Sequence, residues 1–120
     1  MIKNSLKIRL ANAFSDGKFA ETYEHLHENI LWNVVGENEF KGKQAVINRC
    51  EEVAAYFESV TTNFITHHVI SEGNMVVIKG IGEFFRDGIR ISLISASEWY
   101  EFNDDDQIIR IYSYCIPEKK

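Results

Sequence analysis

The chain has 120 residues, of which 45% are hydrophobic, and this is enough for one globular domain with a single core. Lys and Arg total 13 against 18 Asp and Glu, which gives a formal net charge of -5, and no basic block interrupts the sequence. These properties disfavour nucleic acid and anionic membranes as partners. No run approaches the ~18 apolar residues that a membrane span needs, so we expect no membrane contact.

The first half of the chain is predicted to hold three helices and one strand. Apolar residues at helical spacing indicate a first helix over residues 2–14, and the "SDG" that follows ends it. A second, short helix is predicted over about residues 18–27, and the next run, "ILWNVV", is typical of a strand. After a polar loop, one apolar stripe predicts an amphipathic helix over residues 43–58.

The second half of the chain is predicted to form four consecutive antiparallel strands. The β-type runs are "VTTNFITHHVIS", "MVVIKGIGEFF", "IRISLISASEWYEF" and "IIRIYSYC", and short turn sequences separate them. Helices followed by such a meander indicate an α+β domain with helices on one face of a curved sheet. In the second run, Gly80 and Gly82 would leave a strip of the sheet bare, which bends a strand or admits a close neighbour. We predict one domain over residues 1–116 and a polar tail over 117–120.

Two cysteines lie in separate predicted elements. Cys50 falls in the third helix and Cys115 in the last strand, so we expect two free, buried thiols, as in a reducing compartment. The amino terminus carries Lys3, Lys7 and Arg9 and lacks the apolar run of a signal peptide. The sequence therefore predicts a cytoplasmic protein.

Three segments carry a resemblance to a known superfamily. They are "DGKF" between the first two helices, "LWNVVG" followed by "FKGKQAVI", and the closing hairpin "WYEFNDDDQIIRIYSY". With them, nearly the whole chain resembles the nuclear transport factor 2-like (NTF2-like) proteins, which include ketosteroid isomerases and SnoaL-like polyketide cyclases. The resemblance implies a cone-shaped (cystatin-like), mostly antiparallel curved sheet packed against three N-terminal helices. It also implies an enclosed pocket and, as in many members, a homodimer.

Glu98 is the first candidate for catalysis. By resemblance to the ketosteroid isomerases, it falls where a neutral carboxylic acid donates a hydrogen bond to an oxyanion. Strand alternation places Glu98 on one face with Ala96 and Tyr100, an apolar face that would desolvate the carboxyl and raise its pKa. The opposite face, which includes Leu93 and Trp99, is nearly as apolar, so a solvated or ion-paired Glu98 is the alternative.

The candidates for a base are weaker matches. The resemblance places the proton-transferring carboxylate of the isomerases at Asn33 or, with a shift of one residue, at Val34, and neither side chain ionises. Asn33 is therefore predicted to orient a substrate or a water molecule. His67 and His68 point to opposite faces of one strand, so at most one of them faces a pocket and acts as the base near neutral pH. The alternative for each is a surface or core histidine.

Aromatic side chains are the candidates for ligand contact. The predicted lining residues are Trp32, Phe57, Phe85, Tyr100 and Tyr112, with an ordinary core role as the alternative. His25 and His27 do not share a helix face, so no metal site is predicted. No cofactor is predicted either.

These observations predict a small-molecule pocket protein of the SnoaL-like type that binds an apolar ligand. As an enzyme it would catalyse isomerisation, cyclisation or hydration by acid-base chemistry, with Glu98 as proton donor or oxyanion stabiliser. The alternative is a non-catalytic member of the same fold that binds a ligand or serves as a dimerisation module.

Overall fold

Two α-helices, one 3-10 helix and six strands make up the computed structural model, which describes the backbone of residues 2–119 and the side chains of residues 5–119. Met1 and Lys120, the outer ends of the predicted domain and tail, lie outside the described residues. The helices are α1 (Ile2–Ser15), the 3-10 helix (Phe19–His25) and α2 (Lys43–Glu58). The strands are β1 (Leu26–Val34), β2 (Asn38–Lys41), β3 (Thr61–Glu72), β4 (Met75–Arg86), β5 (Ile89–Phe102) and β6 (Ile108–Pro117).

All six strands belong to one sheet with the order β2-β1-β6-β5-β4-β3. The pair β1 and β6 is parallel, and the other neighbours are antiparallel. The predicted α+β class and the meander of four antiparallel strands are thereby confirmed. Within residues 2–119, no helix combines the length and apolarity needed to cross a membrane.

The structure differs from the prediction around the first strand. The predicted second helix is a 3-10 helix that ends at His25, and β1 begins at Leu26 instead of Ile30. The polar loop after β1 contains the short edge strand β2, whose backbone pairs with that of β1. The sequence of β2, "NEFK", has one apolar residue, so it carries no alternating pattern by which a strand is recognised.

The core lies between the helices and one face of the sheet, called here the inner face. From the helices it takes Leu10, Phe14, Val46 and Cys50, all buried. The buried residues of the sheet in this core are Leu26, Ile30, Trp32, Val76, Ile78, Tyr100, Phe102, Ile108 and Ile111. Alternation along each strand sends the remaining side chains to the opposite, outer face.

A buried ion pair fixes α1 against the sheet. Lys7 is 4% exposed, and its Nζ lies 2.8 Å from Oδ1 of Asp106 in the turn between β5 and β6. The pair joins helix α1 to the closing hairpin formed by β5 and β6, which is one of the segments that carry the resemblance to the superfamily. It helps to hold the carboxyl end of α1 over the inner face.

Residues 117 and 118, which fall in the predicted polar tail, lie against the sheet. Strand β6 includes Pro117, and the backbone N–H of Glu118 donates to the carbonyl of Leu93 at 2.8 Å. The Glu118 carboxylate also pairs with Arg90 at 3.3 Å. Residues 117 and 118 are therefore attached to β5.

Candidate functional site

A pocket of about 280 Å³ opens between the inner face of the sheet, the carboxyl end of α1 and helix α2. Six aromatic side chains line it: Phe14, Phe19, Trp32, Phe57, Phe64 and Phe84. The charged residues of the lining are Asp16, Glu37, Arg49 and Glu98. A mainly apolar concavity with a few polar groups is the usual form of a small-molecule site, and this volume suits a small ligand.

Glu98 lies on the floor of this pocket, and the register of the strands determines which residues lie beside it. Ser113 of β6 is its partner on one side and Ile78 of β4 on the other, and both line the pocket with it. Ser113 Oγ donates to Glu98 Oε2 at 2.8 Å, and Trp32 Nε1 donates to Ser113 Oγ at 3.0 Å. An indole N–H can only donate, so the Ser113 oxygen accepts there and directs its own proton to Glu98.

A second polar contact reaches Glu98 from helix α1. Tyr100, two residues along β5, is completely buried, and its hydroxyl lies 2.7 Å from Oγ of Ser15. The hydroxyls of Ser15 and Tyr100 both hydrogen-bond with the Glu98 carboxyl. Burial raises the pKa of Tyr100 well above its ordinary value, and the Glu98 charge adds to the rise. Tyr100 therefore stays a neutral hydroxyl in this site.

Burial also controls the protonation of Glu98. It raises the pKa of the carboxyl above its ordinary value of 4.5, and the Asp16 charge acts in the same direction. Hydrogen bonds from Ser113, Ser15 and Tyr100 oppose part of this rise in pKa. Among residues 5–119, no Lys, Arg or His forms an ion pair with Glu98. The carboxyl thus keeps its proton to higher pH than an exposed glutamate does, and it can donate that proton.

The inward orientation predicted for Glu98 is confirmed. Its neighbours by alternation, Ile94 and Ala96, line the pocket with it, and Tyr100 and Phe102 are buried in the core. The alternative, a glutamate that is solvated or ion-paired on the outer face, does not hold in this structure.

The two histidines do not belong to the pocket. His67 and His68 are both exposed, and neither lines the cavity. The pairing of β3 with β4 shifts register between Thr66 and His68, so the alternation that governs the rest of the strand is interrupted there. Thr66 lines the pocket instead. At most one of the two histidines was predicted to face the pocket, and neither does, so the catalytic role predicted for His67 or His68 is wrong.

Asn33 also points away from the site. Its neighbours Trp32 and Val34 both line the pocket, so alternation sends Asn33 to the outer face, where it pairs with Tyr112 of β6. With a shift of one residue, the position that resembles the base of the isomerases is Val34, which has no titratable group. The prediction of an orienting amide at Asn33 is wrong.

Of the five predicted lining residues, Trp32 and Phe57 contact the cavity. Tyr100 is completely buried and does not line the cavity, but its hydroxyl lies 2.7 Å from Oγ of the lining residue Ser15. Phe84 lines the cavity in place of Phe85, because alternation along β4 sends Ile78, Gly82 and Phe84 to the inner face and Phe85 to the outer face. Tyr112 faces outward, since Ile111 belongs to the core and Ser113 to the pocket.

Sequence reasoning missed Ser15, Asp16 and Ser113, and also the lining residues Glu37, Arg49 and Thr66. Ser113 carries a weak signal, because it is a polar residue two positions after the buried Ile111 on the same strand face. Ser15 and Asp16 belong to "SDG", which looks like an ordinary helix end. Among the described residues, no group of three or more His, Cys, Asp or Glu is placed to hold a metal ion.

Several solved structures are similar to this chain. An NTF2-like protein of unknown function from Cytophaga hutchinsonii is 30% identical, with a TM-score of 0.84 over 93% of this chain and 97% of that one. A protein described as a SnoaL-like polyketide cyclase from Shewanella putrefaciens is 12% identical, with a TM-score of 0.74 over 96% of this chain and 80% of that one. An LEH-like epoxide hydrolase of M. tuberculosis is 16% identical, with a TM-score of 0.69 over 92% of this chain and 83% of that one. At these lower identities the likeness shows the fold alone.

The family assignment rests on the sequence match as well as on the structure. A search of curated proteins found no match. The SnoaL-like domain family matches residues 8–111. This range begins within α1, includes all of β5 and ends at Ile111 in β6. With a match over most of its length, the chain belongs to the SnoaL-like domain family of NTF2-like proteins.

Proposed function

We propose that the protein binds a small apolar molecule in this pocket and acts on it by acid-base catalysis, with Glu98 as the proton donor. The observation that carries the proposal is a desolvated carboxyl on the floor of an aromatic cavity. Ser113 fixes the orientation of that carboxyl by a hydrogen bond of 2.8 Å. A carboxylic acid that keeps its proton to higher pH than a solvated glutamate does can give that proton to a developing oxyanion.

The proposed reaction class is isomerisation, cyclisation or hydration. Each of these reactions can begin when an acid protonates a substrate oxygen or stabilises the negative charge that develops on it. The proton passes from Glu98 to the substrate, and the Glu98 carboxylate that remains accepts hydrogen bonds from Ser113, Ser15 and Tyr100. None of these steps needs a cofactor. The names of the similar polyketide cyclase and epoxide hydrolase agree with this class at the level of the fold.

Thermal denaturation with a panel of steroid-, terpenoid- and polyketide-like compounds tests the proposal. A ligand at about 100 times its dissociation constant adds roughly 2.7 kcal/mol to the stability, or several degrees in Tm for a domain of this size. We expect at least one such shift with the wild type and a smaller one with Glu98→Gln. Glu24→Gln, the same change at an exposed position on the 3-10 helix, should retain the full shift.

Two results would count against the proposal. Shifts of equal size in wild type and Glu98→Gln would show that the ligand does not contact Glu98. No shift with any compound would contradict ligand binding and favour the second candidate, a dimerisation module.

The second candidate rests on the outer face of the sheet. Register places Ile70, Val77, Trp99 and Tyr112 in one row across four strands. Trp99 is 42% exposed, and the strand β6 beside it adds further exposed apolar residues at positions 114 and 116. Contiguous exposed apolar surface of this kind marks interaction sites. We propose that two copies of the chain associate through this face.

Replacing Trp99 by Glu tests self-association. A charge in the middle of the row should disfavour contact, so we expect light scattering to give the mass of a dimer for the wild type and of a monomer for Trp99→Glu. Ile89→Glu, at an apolar residue that is 68% exposed but lies at the start of β5, should remain dimeric. A monomeric wild type at micromolar concentration would contradict the proposal.

We propose that the protein is located in the cytoplasm. Cys50 and Cys115 are both free thiols, one buried and one half-buried. Free thiols are usual where the cell keeps its proteins reduced.

A further inference from the structure

We propose that Asp16 is the base that works with Glu98, and that the substrate is an uncharged carbonyl compound with an acidic carbon-bound proton. The inference rests on the proposed function of the pocket, to which it adds a second reacting group and a class of substrate. It supplies the base that neither Asn33 nor the histidines can provide.

The end of helix α1 holds Asp16 in a fixed position. The N–H of Lys18 donates to the carbonyl of Ala13 at 2.8 Å, and that of Gly17 donates to the carbonyl of Phe14 at 3.1 Å. These two bonds, with Gly17 at φ 80, form a Schellman motif in which Asp16 is the C-cap residue, directly after the last helical residue Ser15. A base must be held within reach of its proton, and a capped helix end does this better than a mobile loop.

The surroundings of Asp16 make its carboxylate a better base than an exposed aspartate. Burial raises the pKa of Asp16 above its ordinary value, and Lys18 opposes part of the rise. The carboxyl end of a helix carries partial negative charge, which also favours proton uptake. Among residues 5–119, no Lys, Arg or His forms an ion pair with Asp16 within 4.0 Å. No salt bridge therefore holds its carboxylate away from a substrate.

The two carboxyls face one pocket from different elements, and the structure separates their roles. Glu98 lies deeper, between strands, and the charge on Asp16 raises its pKa further. Asp16 lies at the helix end, half-buried, with Lys18 beside it. Two neighbouring carboxyls cannot both ionise cheaply, so the first charge settles on Asp16 and the proton stays on Glu98. This is the protonation state that a base and an acid need before the reaction.

The other charged and titratable groups around the pocket disfavour an anionic substrate. They are Lys18, Glu37, Arg49, Tyr100 and Cys115. The Arg49 guanidinium already pairs with Glu52 at 3.1 Å. Burial, with the Glu98 and Glu37 charges, raises the pKa of the Cys115 thiol to about 11, so it is neutral at physiological pH. Acidic groups thus outnumber available cations, which disfavours an anionic substrate.

The protons and electron pairs of the proposed step move only among the two carboxyls and the substrate. Asp16 removes a proton from the carbon next to the substrate carbonyl, and the electron pair of that C–H bond forms the C=C bond of an enol. The carbonyl π pair takes the proton of Glu98, so that Asp16 ends protonated and Glu98 ionised. Return of the Asp16 proton to the same carbon, and of the enol proton to Glu98, exchanges the carbon-bound proton and restores both groups. Where the substrate has a C=C bond conjugated with the enol, the electron pair passes through it, and return of the Asp16 proton to its far carbon completes an isomerisation.

A titration by carboxyl-carbon NMR tests the assignment without a substrate. We expect Asp16 to lose its proton at lower pH than Glu98, and we expect Asp16→Asn to lower the pKa of Glu98 because a neighbouring negative charge is removed. Asp105→Asn, the same change at an exposed turn position, should leave the pKa of Glu98 unchanged. If Glu98 ionises first, or if Asp16→Asn leaves its pKa unchanged, the assignment is overturned.

Exchange of the carbon-bound protons of β-tetralone in deuterium oxide tests the chemistry. The wild type should accelerate the exchange, and Asp16→Asn should reduce this acceleration by about 100-fold while the thermal shift given by β-tetralone persists. Full exchange in Asp16→Asn with loss in Glu98→Gln would overturn the role of Asp16 and leave the proposed function intact. A wild type that binds β-tetralone without accelerating exchange would overturn both.

Discussion

Alanine at position 80 is expected to lower the free energy of unfolding by about 3 kcal/mol, because the added methyl group has no space between β3 and β4. A Cβ on Gly80 would overlap the carbonyl oxygen of Ile65, and it would lie 3.1 Å from Cα of Thr66. Both obstacles are backbone atoms of the hydrogen-bonded neighbouring strand, so no side-chain rotation can relieve the overlap. The two strands would have to separate where Gly80 and Thr66 line the pocket.

Thermal denaturation of Gly80→Ala and Gly88→Ala separates this steric effect from the general loss of a glycine. Gly88 has φ 77, and a methyl group added there would meet nothing within 4 Å, so alanine carries only a backbone cost of about 1 kcal/mol. We expect Gly80→Ala to melt roughly 10 °C below the wild type and Gly88→Ala only a few degrees below. Equal losses in the two variants would show that the close approach of β3 and β4 is not a constraint on stability.

The fold could be predicted because its signals are local. Each of the long strands β3 to β6 alternates or runs apolar between clear turn sequences, and consecutive antiparallel strands need no distant contact to be inferred. The parallel pairing of β1 with β6 joins residues far apart in the chain, such as Trp32 and Ile111, and no local pattern specifies it. The edge strand β2 likewise depends on backbone pairing with β1, which its own sequence does not indicate.

The candidate site could be predicted only where alternation is regular. Between Ile94 and Phe102 every second residue faces inward, so the position of Glu98 followed from its neighbours. The register shift next to His68 breaks that rule, and the resulting reversal is a tertiary effect that the sequence does not reveal.

Asn33 and Tyr112 were misplaced for a different reason. Both lie in strands with apolar residues on each face, so the pattern alone cannot say which face is inner. Asp16 was missed because Ser-Asp-Gly is common at helix ends, and only the packing of α1 over the sheet places its carboxyl in the pocket.

Replacing Glu98 by Gln is expected to stabilise the fold at neutral and alkaline pH while it removes the proposed acid. Burial raises the pKa of Glu98 in the folded protein above its ordinary value of 4.5, so between the two values the folded state binds more protons than the unfolded state. The stability that Glu98 contributes is therefore lost as the pH rises through the folded pKa. Each unit of the rise costs the wild type about 1.4 kcal/mol once the carboxyl ionises.

Melting temperatures of wild type and Glu98→Gln across a pH series measure this cost. Below 4.5 the carboxyl is protonated in both states, so the two proteins should melt at similar temperatures. The difference should grow with pH in favour of the glutamine variant, by roughly 4 °C for each kcal/mol. Glu24→Gln, at an exposed glutamate, should follow the wild type throughout. A glutamine variant that becomes less stable than the wild type as the pH rises would mean that the hydroxyls of Ser113, Ser15 and Tyr100 stabilise the carboxylate more than burial penalises it. Glu98 would then fit a base better than an acid.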